Sequence, residues 1–210
     1  MAAATANAQM KMRFGPRAGV DMTSITVSPS SGLDLTSTVG FHAGVTAEFW
    51  LNDNWSINPS LLYAMKGYSE KYSVNVTNGN LTYSESREST VHLNYIEIPI
   101  LLGYSYGMDG WKIGGEVGPY LGYALSGTYK NKATTNGVTT ESSGSVTLGS
   151  GEAELNPLDF GLKVGPGVEF SNLKINLYYS MGLTNLSNAS GETIKNWGAG
   201  LSLAYMFGGE

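Results

Sequence analysis

The stretch that most restricts the fold is Leu158–Leu186 (LDFGLKVGPGVEFSNLKINLYYSMGLTNL). Leu158, Phe160, Leu162, Val164, Pro166, Val168 and Phe170 alternate with Asp159, Gly161, Lys163, Gly165, Gly167 and Glu169. After Ser171-Asn172 the parity swaps, and Leu173, Ile175, Leu177, Tyr179, Met181 and Leu183 alternate with Lys174, Asn176, Tyr178, Ser180 and Gly182. Successive side chains of a strand point to opposite faces, so a period of two means β-structure, and the two-residue break reads as a tight hairpin. One face is wholly apolar, while the other mixes glycine with full charges. Both runs are also longer than the usual strand of a water-soluble sheet.

The same sorting recurs along the chain. Predicted strands cover Met12–Ile25, Val39–Leu51, Trp55–Tyr68, Val91–Tyr106, Trp111–Tyr129, the hairpin just described, and Trp197–Phe207. The connections alternate between short turns, such as Asn52-Asp53-Asn54 and Gly107–Gly110, and long polar stretches, such as Ser69–Thr90 and Lys130–Asn156. Eight strands joined in this way predict an all-β, antiparallel up-and-down β-barrel as one domain over residues 11–210. Residues 1–10 contain Ala6-Asn7-Ala8, which fits the tail of a signal peptide or a disordered leader, and stand outside the fold reading.

Sorting the charges by face shows which medium each face meets. The polar face carries Arg13, Arg17, Lys66, Lys112, Lys163 and Lys174 against Asp21, Glu48, Glu97, Glu116, Asp159 and Glu169, while the apolar face carries none. A lipid-facing Lys or Arg near the bilayer midplane costs about 2–4 kcal/mol, whereas a water-facing surface has no reason to exclude one. Glycines cluster on the charged face, as a narrow lumen packed with long side chains requires. Aromatic residues gather near strand ends on the apolar face. Phe49, Trp55, Tyr104, Trp111, Phe170, Tyr205 and Phe207 lie toward the short turns, and Tyr63, Tyr123 and Trp197 toward the long loops, as two interfacial girdles. No apolar run is long enough for a transmembrane helix, but a barrel crosses with about 9–11 residues per strand. A mean hydropathy of -0.10 is therefore compatible with a transmembrane barrel. The alternative is a soluble, lipocalin-like carrier with the faces reversed.

In hydrocarbon an open sheet edge is untenable, so the last strand is expected to pair with the first. Pro16, Pro59, Pro99, Pro119 and Pro166 fall inside strands, several beside glycine, and suggest β-bulges there, with a register shift near Pro99.

The segments YIEIPILLGY (Tyr95–Tyr104), GGEVGPYLGY (Gly114–Tyr123) and DFGLKVGPGVEF (Asp159–Phe170) resemble the small outer-membrane β-barrel family of Bacteroidota, the porin-family or PorT-like proteins, which share the architecture of OmpA and OmpX. The resemblance spans Phe14–Phe207 and implies a Gram-negative outer-membrane location, periplasmic short turns and extracellular long loops. Tyr205 and Phe207 resemble a barrel-assembly signal, which implies the barrel-assembly machinery as a partner during biogenesis. Ser202 stands where that signal usually has Gly.

Little chemistry accompanies the scaffold. Two histidines and no cysteine argue against zinc, and no cofactor is expected. A net charge of -5 argues against a nucleic-acid partner. His42 faces the lumen with Asp21 or Ser24 within reach, an arrangement that reads either as an interior hydrogen-bond network or as an outer-membrane enzyme. The glycine-rich stretch Gly144–Gly151 lacks the Lys-Ser/Thr of a phosphate loop and reads as flexible. The matched lumen charges point to a salt-bridged plug. The expected function is therefore non-enzymatic: a lipid-embedded anchor whose loops 69–90 and 130–156 serve adhesion, partner binding or envelope integrity. A narrow porin-like channel is the alternative.

Overall fold

The structure, a computed structural model, describes residues 11–29, 34–78 and 81–208. The leader, residues 1–10, lies outside them. The strands are β1 (Met12–Ser28), β2 (Asp34–Trp50), β3 (Trp55–Asn78), β4 (Leu81–Met108), β5 (Trp111–Thr135), β6 (Val138–Ser145), β7 (Leu158–Phe170), β8 (Leu173–Gly182), β9 (Thr193–Tyr205) and β10 (Phe207–Gly208). Each pairs antiparallel with its neighbour, in the order β1-β2-β3-β4-β5-β7-β8-β9. The ring closes where β9 meets β1, from Arg17↔Ala204 to Ser28↔Thr193. β10 continues β9 along β1 in the same register, so the closed wall has eight strands.

The faces sort as the alternation requires. Val20, Val117, Leu121 and Val164 point outward and are exposed, whereas Glu97 and Asp159 point inward at 0% exposure. An apolar exterior around an ionic interior excludes the soluble-carrier arrangement, which needs the reverse. From Trp111 to Tyr123 a strand tilted by about 40° and climbing ~3.3 Å per residue rises roughly 30 Å, enough to cross a bilayer.

Four expectations are corrected. First, the prolines make gaps instead of bulges. At Pro16, Pro59, Pro99, Pro119 and Pro166, two rungs are missing from one ladder each, and the register beyond the gap is unchanged. A missing N–H removes a rung without adding a residue, so nothing shifts. The register shifts lie between Ser37 and His42 in the β2–β3 ladder and at Asn94/Tyr95 in the β4–β5 ladder.

Second, the stretches Ser69–Thr90 and Lys130–Asn156 are not simply loops. β3 and β4 stay paired from Ser69↔Thr90 to Asn78↔Leu81, and β5 runs on to turn into β6. Above Tyr123, β6 replaces β7 as the neighbour of β5. The result is a sheet of β3, β4, β5 and β6 standing above the barrel, with the start of β2, Asp34–Ser37, pairing along its base as a fifth strand. Its Ser, Thr and Asn residues meet water on both faces and so carry no hydrophobic alternation, which is why sequence reading stops short of it. Third, the connection between the first two predicted strands, Met12–Ile25 and Val39–Leu51, is shorter than expected, because β1 runs to Ser28 and β2 starts at Asp34.

Fourth, Gly144–Gly151 opens a segment that is tied down. In residues 146–157, Val146 N–H donates to Gly127 O at 2.9 Å, Leu155 N–H to Thr147 O at 2.9 Å, and Asn156 N–H to Leu186 O at 2.8 Å. Val146, Leu148 and Leu155 pack on the buried cluster Val91, Leu93, Tyr95 and Ala124. Apolar burial here outweighs the flexibility of the glycines.

Candidate functional site

Three linked clusters fill the lumen, and each draws on strands far apart in sequence. At the short-turn end, Arg13 lies between two carboxylates. It donates from Nε to Glu48 at 2.8 Å and from Nη1 and Nη2 to Glu169 at 2.6 and 2.8 Å, a bidentate fork. Lys112 reaches Glu169 at 3.4 Å. Lys174 bridges Glu48 at 2.9 Å and Glu116 at 2.7 Å, and Arg17 lies 3.6 Å from Glu116. Trp50 closes this end, donating its indole N–H to Glu48 at 3.0 Å beneath the Lys112 ammonium, 4.7 Å from the ring.

Toward the long-loop end, Lys66 bridges Glu97 at 2.8 Å and Asp159 at 2.9 Å, and Lys163 also binds Glu97. The Tyr120 hydroxyl and the Asn196 amide donate to Asp159 at 3.2 and 2.9 Å. Lys66 lies 4.3 Å from the Tyr120 ring and 5.1 Å from the Tyr95 ring.

Between these clusters lies a relay. His42 Nδ1 is 3.0 Å from Asp21, His42 Nε2 is 3.0 Å from Ser202 Oγ, and Arg17 Nε–H donates to Ser202 Oγ at 2.8 Å. Tyr178 donates to Asp21. Ser202 accepts from Arg17 and keeps its own proton, so its hydroxyl can donate to His42 Nε2 while His42 Nδ1 faces the Asp21 carboxylate. Gly19 and Gly200 make room for the relay. A Cβ on Gly19 would lie 2.3 Å from the His42 ring, and one on Gly200 would lie 2.2 Å from Asp21.

The structure thus brings together Arg17, Asp21, Glu48, Lys66, Glu97, Lys112, Glu116, Asp159, Lys163, Glu169 and Lys174, along with Arg13. Sequence reading missed Ser202, Tyr178, Tyr120 and Asn196, which are polar groups on the inner face without charge. Ser24, named beside His42, instead donates to Thr36 O at 3.5 Å. Asp21, His42 and Ser202 have the connectivity of a hydrolytic triad. However, Ser202 is 1% exposed, and the cavity lined by Arg17 and His42 holds about 20 Å³, room for a single water.

On the outer wall the aromatic residues pair. Trp55–Tyr104 centroids are 5.0 Å apart, Trp111–Phe170 4.7 Å and Tyr205–Phe207 4.9 Å at the short-turn end. Toward the loops, Phe41 joins Tyr63 at 5.9 Å and Tyr179 joins Trp197 at 6.4 Å. Phe49 and Tyr123 sit on the same face, opposite Ile57 and Leu158. Phe41 and Tyr179 are additions to the expected girdles.

On the sheet above the barrel, Tyr83 O–H donates to Glu85 at 2.9 Å and Arg87 Nε lies 2.6 Å from it. This hydrogen bond, then Arg87, holds the Glu85 carboxyl below the usual carboxylate range. Burial, reinforced by Lys130, pushes the His92 imidazole below its ordinary value.

A family model described as "Outer membrane protein beta-barrel domain" matches residues 7–188. No curated protein matches the chain. Among solved structures, the chain is similar to Ail, the attachment invasion locus protein of Yersinia pestis, at 15% identity and TM-score 0.38, covering 94% of this chain and 100% of that one. It is also similar to OprG from Pseudomonas aeruginosa, at 14% identity and TM-score 0.43, covering 95% and 97%. Neisserial surface protein A gives 14% identity and TM-score 0.37, covering 92% and 97%.

Proposed function

Because this chain belongs to the outer membrane protein beta-barrel domain family and so resides in the outer membrane of Gram-negative bacteria, we propose that it is a sealed, non-catalytic anchor holding the sheet of β3–β6 outside the cell as a contact surface. The observation that carries this reading is the closed lumen. Eleven charged side chains form ion pairs across it and Asp21 binds His42 and Tyr178, its cavities near Arg17 and Lys112 hold about 20 Å³ each, and Val146, Leu148 and Leu155 pack on Leu93 and Tyr95 at its outer end. A chain that invests its lumen in ion pairs leaves neither a solute path nor a substrate site.

Among the described residues the raised sheet offers two unpaired edges, β3 beyond Lys71 and β6, to an extended segment of another protein. Adhesion or cell-envelope contact through those edges is the role proposed. The exposed alternate aromatics Tyr205 and Phe207 support recognition by the barrel-assembly machinery during biogenesis. The segments Tyr95–Tyr104 and Asp159–Phe170 support placement among the PorT-like barrels of Bacteroidota.

Two measurements test the reading. Planar bilayers containing the purified chain are expected to stay electrically silent, and stable ohmic openings would establish a channel instead. Cells displaying a variant in which residues 71–88 are replaced by a short turn are expected to lose adhesion while the barrel still shows a heat-dependent gel shift. Full adhesion by that variant would remove the role given to the sheet.

A further inference from the structure

The lipid-facing wall continues upward, past the register shifts at Ser37/His42 and Asn94/Tyr95, into one face of the raised sheet. Above Ile96 and Tyr123 the paired rungs on that face are Asn94↔Ser126, then His92↔Thr128↔Ser145, then Thr36↔Ser69↔Thr90↔Lys130↔Ser143. Next comes a row of alternating charge across five strands, Asp34↔Lys71↔Glu88↔Lys132↔Glu141. In that row Lys71 lies 3.2 Å from Glu88 and Lys132 lies 3.9 Å from Glu141, so its carboxylates and amines largely answer one another. The rungs below it hold no carboxylate.

Lys130 occupies the gap between the girdle and the ionic row. It is exposed, and among the described residues no carboxylate lies within ion-pair distance of it. Thr90 and Ser143 flank it across the strands with hydroxyls. Together with Glu88, Lys132 and Glu141 these residues line an open depression of about 450 Å³, the scale of a small-ligand site. At ~3.3 Å per residue and about 40° tilt, Lys130 stands roughly 15 Å above the Tyr123 ring. That height is above the hydrocarbon but within the sugar layer of a glycolipid whose acyl chains cover the wall below.

We propose that the outward face of this sheet, centred on Lys130, binds the phosphorylated sugar headgroup of the outer-leaflet glycolipid, lipopolysaccharide. The ammonium of Lys130 meets a phosphate, and the hydroxyls of Thr90 and Ser143 meet sugar hydroxyls. Continuity with the membrane-facing wall chooses this occupant over a soluble one, because a molecule anchored in the adjacent leaflet is delivered to the depression at high effective concentration. The opposite face and the strand edges stay free, so this binding is separate from the adhesive role.

The test is native mass spectrometry of the full chain in detergent. The chain is titrated with a rough-type lipopolysaccharide, the same glycolipid after phosphatase treatment, and phosphatidylglycerol. The intact glycolipid is expected to bind at least fivefold more tightly than either of the others, and Lys130→Glu is expected to erase that difference. Arg87→Gln, which removes one positive charge from the other face as Lys130→Gln does from this one, should change binding less than twofold. A heat-dependent gel shift certifies that each variant is folded, and Lys130→Gln replaces Lys130→Glu if the latter does not fold. Equal binding of the phosphorylated and dephosphorylated glycolipids overturns the proposal. So does a preference for phosphatidylglycerol, or a loss with Arg87→Gln as large as that at Lys130.

Discussion

Glu97 is the most exacting place to test the ionic lumen. It is 0% exposed, accepts a hydrogen bond from Lys163 and forms an ion pair with Lys66 at 2.8 Å. Glu97→Leu removes the one carboxylate within reach of Lys163 among the described residues and leaves Lys66 with Asp159 alone. Stranding a buried charge costs about 3–5 kcal/mol, far more than an intact pair contributes. The expected loss in folding free energy is therefore about 3–5 kcal/mol, read by urea titration of the chain in phosphatidylcholine vesicles, with the heat-dependent gel shift as a second probe. The double variant Glu97→Leu/Lys163→Met removes both members of the pair and leaves Lys66–Asp159 intact. Replacing a buried pair by apolar groups of similar size is often neutral, so most of the loss should return, giving a coupling of about 2–4 kcal/mol in the double-mutant cycle. A Glu97→Leu cost below about 1 kcal/mol, or strict additivity of the two substitutions, would refute the claim that these charges are desolvated and mutually dependent.

Three further outcomes follow from the same geometry. Val117→Arg, at the midplane of the lipid-facing wall, should cost about 2–4 kcal/mol in the same titration, whereas Thr128→Arg, above the girdle, should cost about 0–1 kcal/mol. Gly19→Ala would place a methyl 2.2 Å from the Leu201 carbonyl and 2.3 Å from the His42 ring; overpacking of this kind should cost about 1–3 kcal/mol, and an unchanged midpoint would show that the relay has slack. Val146→Asp puts a charge among Leu93, Val91 and their neighbours and should release residues 146–157, so limited proteolysis should cut there well before it cuts the barrel; equal resistance would mean the segment is held by its backbone hydrogen bonds alone.

Much of this molecule can be read from one dimension, because a medium acts on each residue separately. Hydrocarbon excludes charge from Val20, Val117 or Val164 whatever the rest of the chain does. The alternation, the strand count, the closure of the ring and the charged interior are therefore local consequences of lipid, and so are the girdles at Trp55, Trp111 and Trp197. The twelve lumen charges were identifiable on the same ground, but not their partners. Arg13 meets Glu169 and Lys66 meets Asp159 only because the register with which β9 closes on β1 sets which side chains share a level inside the cylinder. The uncharged members, Ser202 and Tyr178, become part of the network through that same closure. Above the membrane, water faces both sides of residues 69–90 and 130–145, the sorting force vanishes, and only the continuing backbone ladder keeps them as strands. The five prolines likewise left open whether a rung is skipped or a residue inserted, and neighbouring strands held in register by closure decided for the skipped rung.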